Sequence, residues 1–540
     1  MQMIKTSAAA LAILLACIAS GGEVDDEDDA RLGSVGVYFS VPAAQPREVP
    51  VFAEVKAQLP TIVFDDRRDL VRLYDRAWEL AFANIEKPVI DEKRGHVLAR
   101  TYVDAAFSDN IFQWDTCFMM GFAKYGHEAF AFIESLDNFY ALQRDDGFIC
   151  REFRKADAAP VMFPTERDSV NPPIFAWAEV EYARSSGDVA RFAVVLPVLD
   201  KYASWLEANR SAEVKVGEGA SARTVKLYWN TPFGSGMDNT PERGDAWVSM
   251  SAQMAEMYES LAVMATHAKL PERAAAYSER RAVIADAINA AMWDDEAGMY
   301  FNVMSDGSRV RERTIGCFWP IWADVASEER AKRVSRVLLD ESEFYTQVPF
   351  ATISKTHEKF DEWGGYWLGA SWAPTTRMAL DGLKRSGAKL AAYRAAYQYV
   401  DAINSVHEAT GTIWENYAPM YLSFGGNPLS PQPGQPSKRD FVGWSGLGPI
   451  AILIEDIIGI EPDALSNSVT WTLQRTDRVG VQGLQLGKTR LSLVAQPREV
   501  LSDEVVIDVE SGGAFTLRVR VEEREVTAEI QAGRTQVRVP

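Results

Sequence analysis

Cysteine is scarce, with four in 540 residues. Cys17 sits in an apolar leader, and Cys117, Cys150 and Cys317 form an odd, scattered set among apolar neighbours. That set argues against a disulfide framework. Buried free thiols are the expectation, with a single bridge left open. Histidine is nearly as rare at five, no CxxC or HExxH motif occurs, and no loop spaces its oxygens for calcium. No metal centre and no cofactor is therefore expected. Positive charge is in deficit: 56 Lys and Arg stand against 76 Asp and Glu, a formal net charge of −20. Such a surface repels phosphate backbones and argues against nucleic acid as a partner.

What is present is globular composition with extra rings: 47% hydrophobic, 11% aromatic and fifteen Trp. A chain of this length buries one large core and leaves room for something smaller. In the N-terminal MQMIKTSAAALAILLACIASGG, Lys5 precedes an apolar run from Ala8 to Ala19. The run is too short to span a bilayer, and residues 1–21 read as a signal peptide. Leu14-Leu15-Ala16-Cys17 resembles a bacterial lipobox, which implies membrane attachment through a lipidated Cys17. Cleavage after Ala19 or Gly21 is the alternative. Either way the chain is expected to be exported, to the periplasm, outer membrane or cell surface of a bacterium, and to act as a monomer. Residues 22–66 read as an acidic tether, GGEVDDEDDA, then a short β extension with weak strand patterning over 32–63.

From about Asp69 to Gly459 the period is helical. Phe192, Val195, Leu196, Leu199, Tyr202, Trp205 and Leu206 recur at spacings of three and four, as do Met254, Met257, Tyr258, Leu261 and Met264. The Met stripe reads as core. Roughly a dozen such segments suit an (α/α)6 toroid over 67–460, although periodicity alone leaves an open helical solenoid possible. After Pro462 the period falls to two. Phe515, Leu517, Val519 and Val521 alternate with Thr516, Arg518 and Arg520, and glycines mark the turns, so residues 463–540 predict a small β-sandwich.

Two carboxylates stand in unusual company. Asp238 lies in GSGMDNTPER, a loop by its glycines and Pro241; capping a helix or closing a turn is its plain reading. Glu415 lies in GTIWENYAP between Trp414 and Asn416. Most such glutamates are helix-end residues in surface pairs, but one held against rings has its ionisation tuned.

With QWDTCFM (113–119) and FVGWSGL (441–447), these motifs occur in an order that resembles the (α/α)6 glycoside hydrolases of family 63 and the related trehalase family 37. The likeness is strongest to the bacterial branch that includes mannosylglycerate hydrolase. The resemblance spans about 107–458, and the trehalase signature PGGRF is absent. It implies an inverting α-glycosidase acting on an oligosaccharide or small glycoside, with Asp238 as general acid and Glu415 as general base. Asp115 matches a carboxylate that holds sugar hydroxyls, and Tyr366 and Trp367 match aromatics around the glycone. Gly236 matches a backbone contact beside the acid, and Arg151 and Glu152 a polar pair near the pocket. Asn171 stands where relatives carry Gln before two prolines, a methylene shorter, which re-spaces that contact. Phe112, Trp114, Trp414 and Trp444, the rings of these motifs, complete the expected substrate-binding set. Inversion requires Asp238 to be held protonated in an aromatic enclosure, and Glu415 to be the more solvated or hydrogen-bonded of the two.

Two other classes compete. A polysaccharide lyase on the same toroid needs a Tyr or His base and a cation; His127, His267 and His407 all lie in helical stretches. A lyase would release unsaturated products that absorb near the ultraviolet edge, and a hydrolase would not. A non-catalytic carbohydrate-binding lipoprotein would have no need of both carboxylates. Lys438 and Arg439, near the expected mouth, suit an acidic sugar or simply a solvated loop.

Overall fold

The three-and-four spacing becomes helix wherever it runs unbroken, in a computed structural model that describes residues 46–91, 95–105, 108–426 and 436–540. The expected leader, and the tether as far as residue 45, lie outside the described residues. Twelve helices carry the architecture: Arg68–Ala83 (α1), Gln113–Ala123 (α2), Glu134–Ala141 (α3), Phe175–Ser186 (α4), Ala190–Asn209 (α5), Val248–His267 (α6), Pro271–Ala291 (α7), Trp319–Trp322 (α8), Glu328–Leu338 (α9), Ala373–Arg385 (α10), Lys389–Thr410 (α11) and Gly448–Ile458 (α12).

Even-numbered helices form an inner layer and odd-numbered helices an outer one. The burial pattern follows from that. Every residue of α2 and α12 is buried, because these helices have neighbours all round. The outer α7 buries only Tyr277, Ile284, Ala287, Ile288 and Ala291 along one stripe. In α6 the stripe of Met254, Met257, Tyr258, Leu261 and Met264 is fully buried, as core.

The inner layer closes on itself. In succession α2 touches α4, α4 touches α6, α6 touches α8 and α8 touches α10; the turn Ser445–Leu447 that leads into α12 then touches both α10 and α2. A solenoid has two free ends, and this array has none, so the toroid is the fold.

Parallel inner helices aim their N-termini at one rim and their C-termini at the other. At the C-terminal rim Lys124, Arg184, Lys384 and Arg385 complement the negative helix ends. There Arg377 donates to Glu455 at 2.6 Å and to Asp381 at 2.9 Å, and Lys124 lies 3.0 Å from Glu455. Burial alone would raise the Glu455 carboxyl, but Arg377, Lys124 and Lys384 hold it well below the usual carboxylate range. This network ties α12 to α2 and α10.

The C-terminal residues fold as two facing sheets. The strands are Thr61–Phe64 (β1), Ile460–Asp463 (β2), Ser468–Thr472 (β3), Val479–Leu486 (β4), Thr489–Ala495 (β5), Val505–Ser511 (β6), Phe515–Val521 (β7), Arg524–Ile530 (β8) and Gly533–Val539 (β9). One sheet has the order β1-β4-β5-β6-β9, the other β2-β3-β7-β8. The alternation read from the sequence is the sandwich's inside and outside: Phe515, Leu517, Val519 and Val521 are buried. Of the expected β extension, the described residues from 46 on hold the short helix Phe52–Val55 and the strand Thr61–Phe64. Thr61–Phe64 pairs antiparallel with Val479–Gln482 and forms an edge of the C-terminal sandwich. A four-residue strand cannot stand alone, and it takes its hydrogen bonds from a sheet. Cys117, Cys150 and Cys317 are buried free thiols. No helix among the described residues is long and apolar enough to cross a membrane.

Candidate active site

The N-terminal rim gathers the loops that the sequence singles out. Asp115 lies in the first turn of α2, which the chain enters from a short strand, Asn110–Phe112. That strand pairs with Glu152–Arg154, setting Phe112 opposite Glu152, and Gln113 N–H donates to the Arg151 carbonyl at 2.9 Å. The ladder thus brings QWD beside Arg151 and Glu152. Arg151 is buried, lies 2.8 Å from Glu152 and stacks its guanidinium 4.2 Å from the centroid of Phe233. Phe112 is half-buried at the entry of α2.

The Asp238 loop lies over Trp114. Gly236 has φ +78°, and a Cβ there would come within 2.8 Å of the Trp114 indole nitrogen, so the site requires glycine on both counts. Asn171 donates to the Gly234 carbonyl at 3.2 Å and leaves its own carbonyl oxygen buried and unpaired. The shorter side chain therefore holds the loop. Glu242, four residues beyond Asp238, anchors the other end: Thr314 donates to it at 2.7 Å and Asn302 at 3.3 Å.

Glu415 is buried and hydrogen-bonded. Lys438 N–H donates to it at 3.1 Å and the Tyr366 hydroxyl at 3.4 Å, while its own N–H donates to the Lys438 carbonyl at 2.8 Å. Trp444 donates its indole N–H to the Glu415 carbonyl at 3.3 Å. Tyr366 is held at φ +68° after Gly364 and Gly365, a left-handed conformation that a tyrosine adopts only when its surroundings impose it. Trp367 lies flat against Trp372, with ring centroids 4.0 Å apart, and Trp444 meets both edge-on. This aromatic cluster stands beside Glu415 through Tyr366 and Trp444.

The carboxyl groups sense one another. Burial, then the charges of Glu415, Asp104 and Asp238, hold Asp115 well above the usual carboxylate range, and its Oδ1 is buried with no hydrogen-bond partner. Burial raises Asp238 to about 7, with Arg151 opposing and Glu152 adding to the shift. Burial raises Glu415 to about 7 as well, against the Lys438 N–H and with the Asp238 charge adding. Glu415 was expected to be more solvated or hydrogen-bonded than its partner. The hydrogen bonds are there; the solvation is not, because the residue sits beneath the rings of Tyr366 and Trp444. Asp238 accepts no hydrogen bond among the described residues.

A carboxyl with a raised pKa destabilises the fold once it is charged. Asp238 titrates near 3.8 when unfolded and near 7 when folded. Its contribution is neutral below about pH 4, turns unfavourable between the two values and is complete above about pH 8. Asp238→Asn is thus expected to be more stable than the wild type at pH 8, by up to about 4 kcal/mol, and equal to it near pH 4. Urea unfolding at the two pH values measures this; identical midpoints at pH 8 would mean that the carboxyl is solvated.

The structure brings together Asp115, Arg151, Glu152, Trp114, Gly236, Asp238, Tyr366, Trp367, Glu415 and Trp444. Trp414 is placed differently. Its ring stacks on Phe424 at 4.1 Å and its N–H donates to Thr410 at the end of α11. Successive side chains in an extended segment point to opposite sides, so a neighbour of Glu415 faces away from it. Trp372, Glu242 and Asn239 escaped the sequence reading, and so did the part that Lys438 plays through its backbone. Trp372 could have been found as the next Trp after GGYW, in GASWAP, just before a proline-led helix. Among the described residues no group of His, Cys, Asp or Glu is arranged to hold a metal ion.

Residues 108–422 match the family described as the mannosylglycerate hydrolase MGH1-like glycoside hydrolase domain. An uncharacterised protein of Borreliella burgdorferi is 24% identical over 491 residues, which are 89% of this chain and 98% of that protein. Among solved structures, a family 63 mannosylglycerate hydrolase from Thermus thermophilus, in complex with glucose, is similar at a TM-score of 0.51. Its identity is 17%, and the match covers 70% of this chain and 99% of that one. A sialidase is similar at a TM-score of 0.62 and 13% identity, over 84% of this chain and 40% of that one.

Proposed function

The chain belongs to the mannosylglycerate hydrolase MGH1-like glycoside hydrolases, and from that premise we propose that it cleaves an α-glycosidic bond, of an α-glucoside or α-mannoside, with inversion. Asp238 gives its proton to the departing glycosidic oxygen as the bond to the anomeric carbon breaks. Glu415 takes a proton from a water molecule on the opposite face, and that water's oxygen bonds to the same carbon. One observation carries the reading: of two carboxyls that sense one another, Glu415 accepts from the Lys438 N–H and the Tyr366 hydroxyl, and Asp238 accepts no hydrogen bond among the described residues. Donors favour the charged form. The donors thus assign the ionised role to Glu415 and the protonated role to Asp238. Asp115, with an unpaired buried oxygen, accepts hydroxyl groups of the sugar.

The test is the configuration of the first product. Proton NMR within minutes of mixing should show the β-anomer from an α-linked substrate. An α-anomer formed first would make Glu415 a nucleophile and overturn the mechanism.

We also propose that the protein is exported, on the strength of the apolar run behind Lys5. Intact mass of the envelope fraction should lack residues 1 to about 21, or only those before a lipidated Cys17; a retained Met1 would refute export, and a first residue other than a modified Cys17 would refute lipidation.

A further inference from the structure

Trp363 is 57% exposed, the most exposed Trp among the large hydrophobics of the surface. It is nonetheless firmly held. Its ring stacks on Tyr421 with centroids 4.4 Å apart and an interplanar angle of 26°. The Tyr421 hydroxyl donates to Glu362 at 2.7 Å, and Trp363 N–H donates to Asp361 at 2.8 Å. The Trp363 carbonyl accepts from Gly426 N–H at 3.0 Å. A fixed, exposed indole keeps apolar surface in water, which folding alone does not reward. It has also already lost the side-chain entropy that a ligand would otherwise make it lose.

Its position is set by both halves of the site. Two residues lie between Trp363 and Tyr366, so their Cα atoms lie within about 11 Å. Between them the Gly365 carbonyl accepts from Asn239 at 2.9 Å, and Trp367 N–H donates back to Asn239 at 2.9 Å. Asn239 is the residue after Asp238. Tyr421 and Gly426 belong to the segment that follows Glu415, and that segment folds back through the Gly425 N–H to the Asn416 carbonyl at 3.0 Å. The stacked pair is therefore braced to the acid's loop and to the base's segment, at the outer edge of the pocket they share.

We propose that Trp363 and Tyr421 form an outer sugar platform. One face of the indole is covered by Tyr421, and the open face stacks the apolar C–H face of a sugar ring beyond the one held at Asp115. The inference rests on the glycosidase reading and narrows it: the substrate is an oligosaccharide, in place of a small glycoside that ends at the scissile bond.

The test uses Glu415→Gln, to stop turnover, and calorimetric titration with α-linked gluco- and manno-oligosaccharides of two to five units. Covering roughly 60 Å² of apolar surface is worth about tenfold in affinity, so the longer sugars should bind about tenfold tighter than the disaccharide. Trp363→Ala in the same background should flatten that gradient, and Trp363→Phe should restore most of it. Three results would overturn the platform: no gradient in the parent, a gradient that survives Trp363→Ala, or equal weakening at every length, the mark of a purely structural residue. Wild-type turnover of the same sugars separates the two readings. Turnover without a gradient removes the platform alone; a panel neither bound nor hydrolysed removes the glycosidase reading and the platform with it.

Discussion

Glu415→Gln should lose about 10²–10⁴-fold in kcat, and by the same factor on a natural oligosaccharide and on an activated aryl glycoside. Water must be deprotonated whatever group departs, so a good leaving group offers no relief. The amide keeps the volume of the carboxylate and can still accept from Lys438 N–H, which preserves the local fold. What it cannot do is take a proton from water. Circular dichroism checks the fold, and initial rates on the two substrates check the chemistry. Rates that fall on one substrate only would reassign the residue.

Asp238→Asn should behave differently with the same assays. Proton delivery is worth about 10²–10⁴-fold when the leaving group is a sugar hydroxyl, and little when it is a nitrophenolate that departs unaided. The variant should therefore fail on oligosaccharides and retain most activity on the aryl glycoside. The wild type should show a narrow bell-shaped pH profile centred near 7, because both carboxyls titrate there. Asp238→Asn should lose the alkaline limb on the aryl substrate, since only the ionisation of Glu415 then matters. An alkaline limb that persists would place the acid elsewhere.

Much of this was legible in the residues. A Met stripe at spacings of three and four becomes α6, and the alternation of Phe515 to Val521 becomes a sandwich strand, because burial on one face enforces each period. The loops around Asp238 and Glu415 were legible as chemistry because glycine and proline rule out helix there. Ring closure was not, since it depends on α12 meeting α2, a contact between residues more than 300 apart. The stacking of Trp414 on Phe424 was not legible, because a motif records which residues are adjacent but not the side to which each points. The destination of residues 61–64 was hidden for the same reason as ring closure: TIVF is a strand by composition, and only a distant partner says in which sheet.

That distant partner has a consequence for how the protein is made. β1 leaves the ribosome early and β4 about 400 residues later. At roughly 5–20 residues per second the wait is some 20–80 s. Throughout it, Ile62, Val63 and Phe64, all buried in the finished fold, lack the strand with which they pair. An apolar strand that emerges early is among the last to find its sheet. Domain-by-domain folding during synthesis is thus denied to this chain at its sandwich, and the interval is one in which a chaperone, or an export machinery that accepts unfolded chains, has time to act.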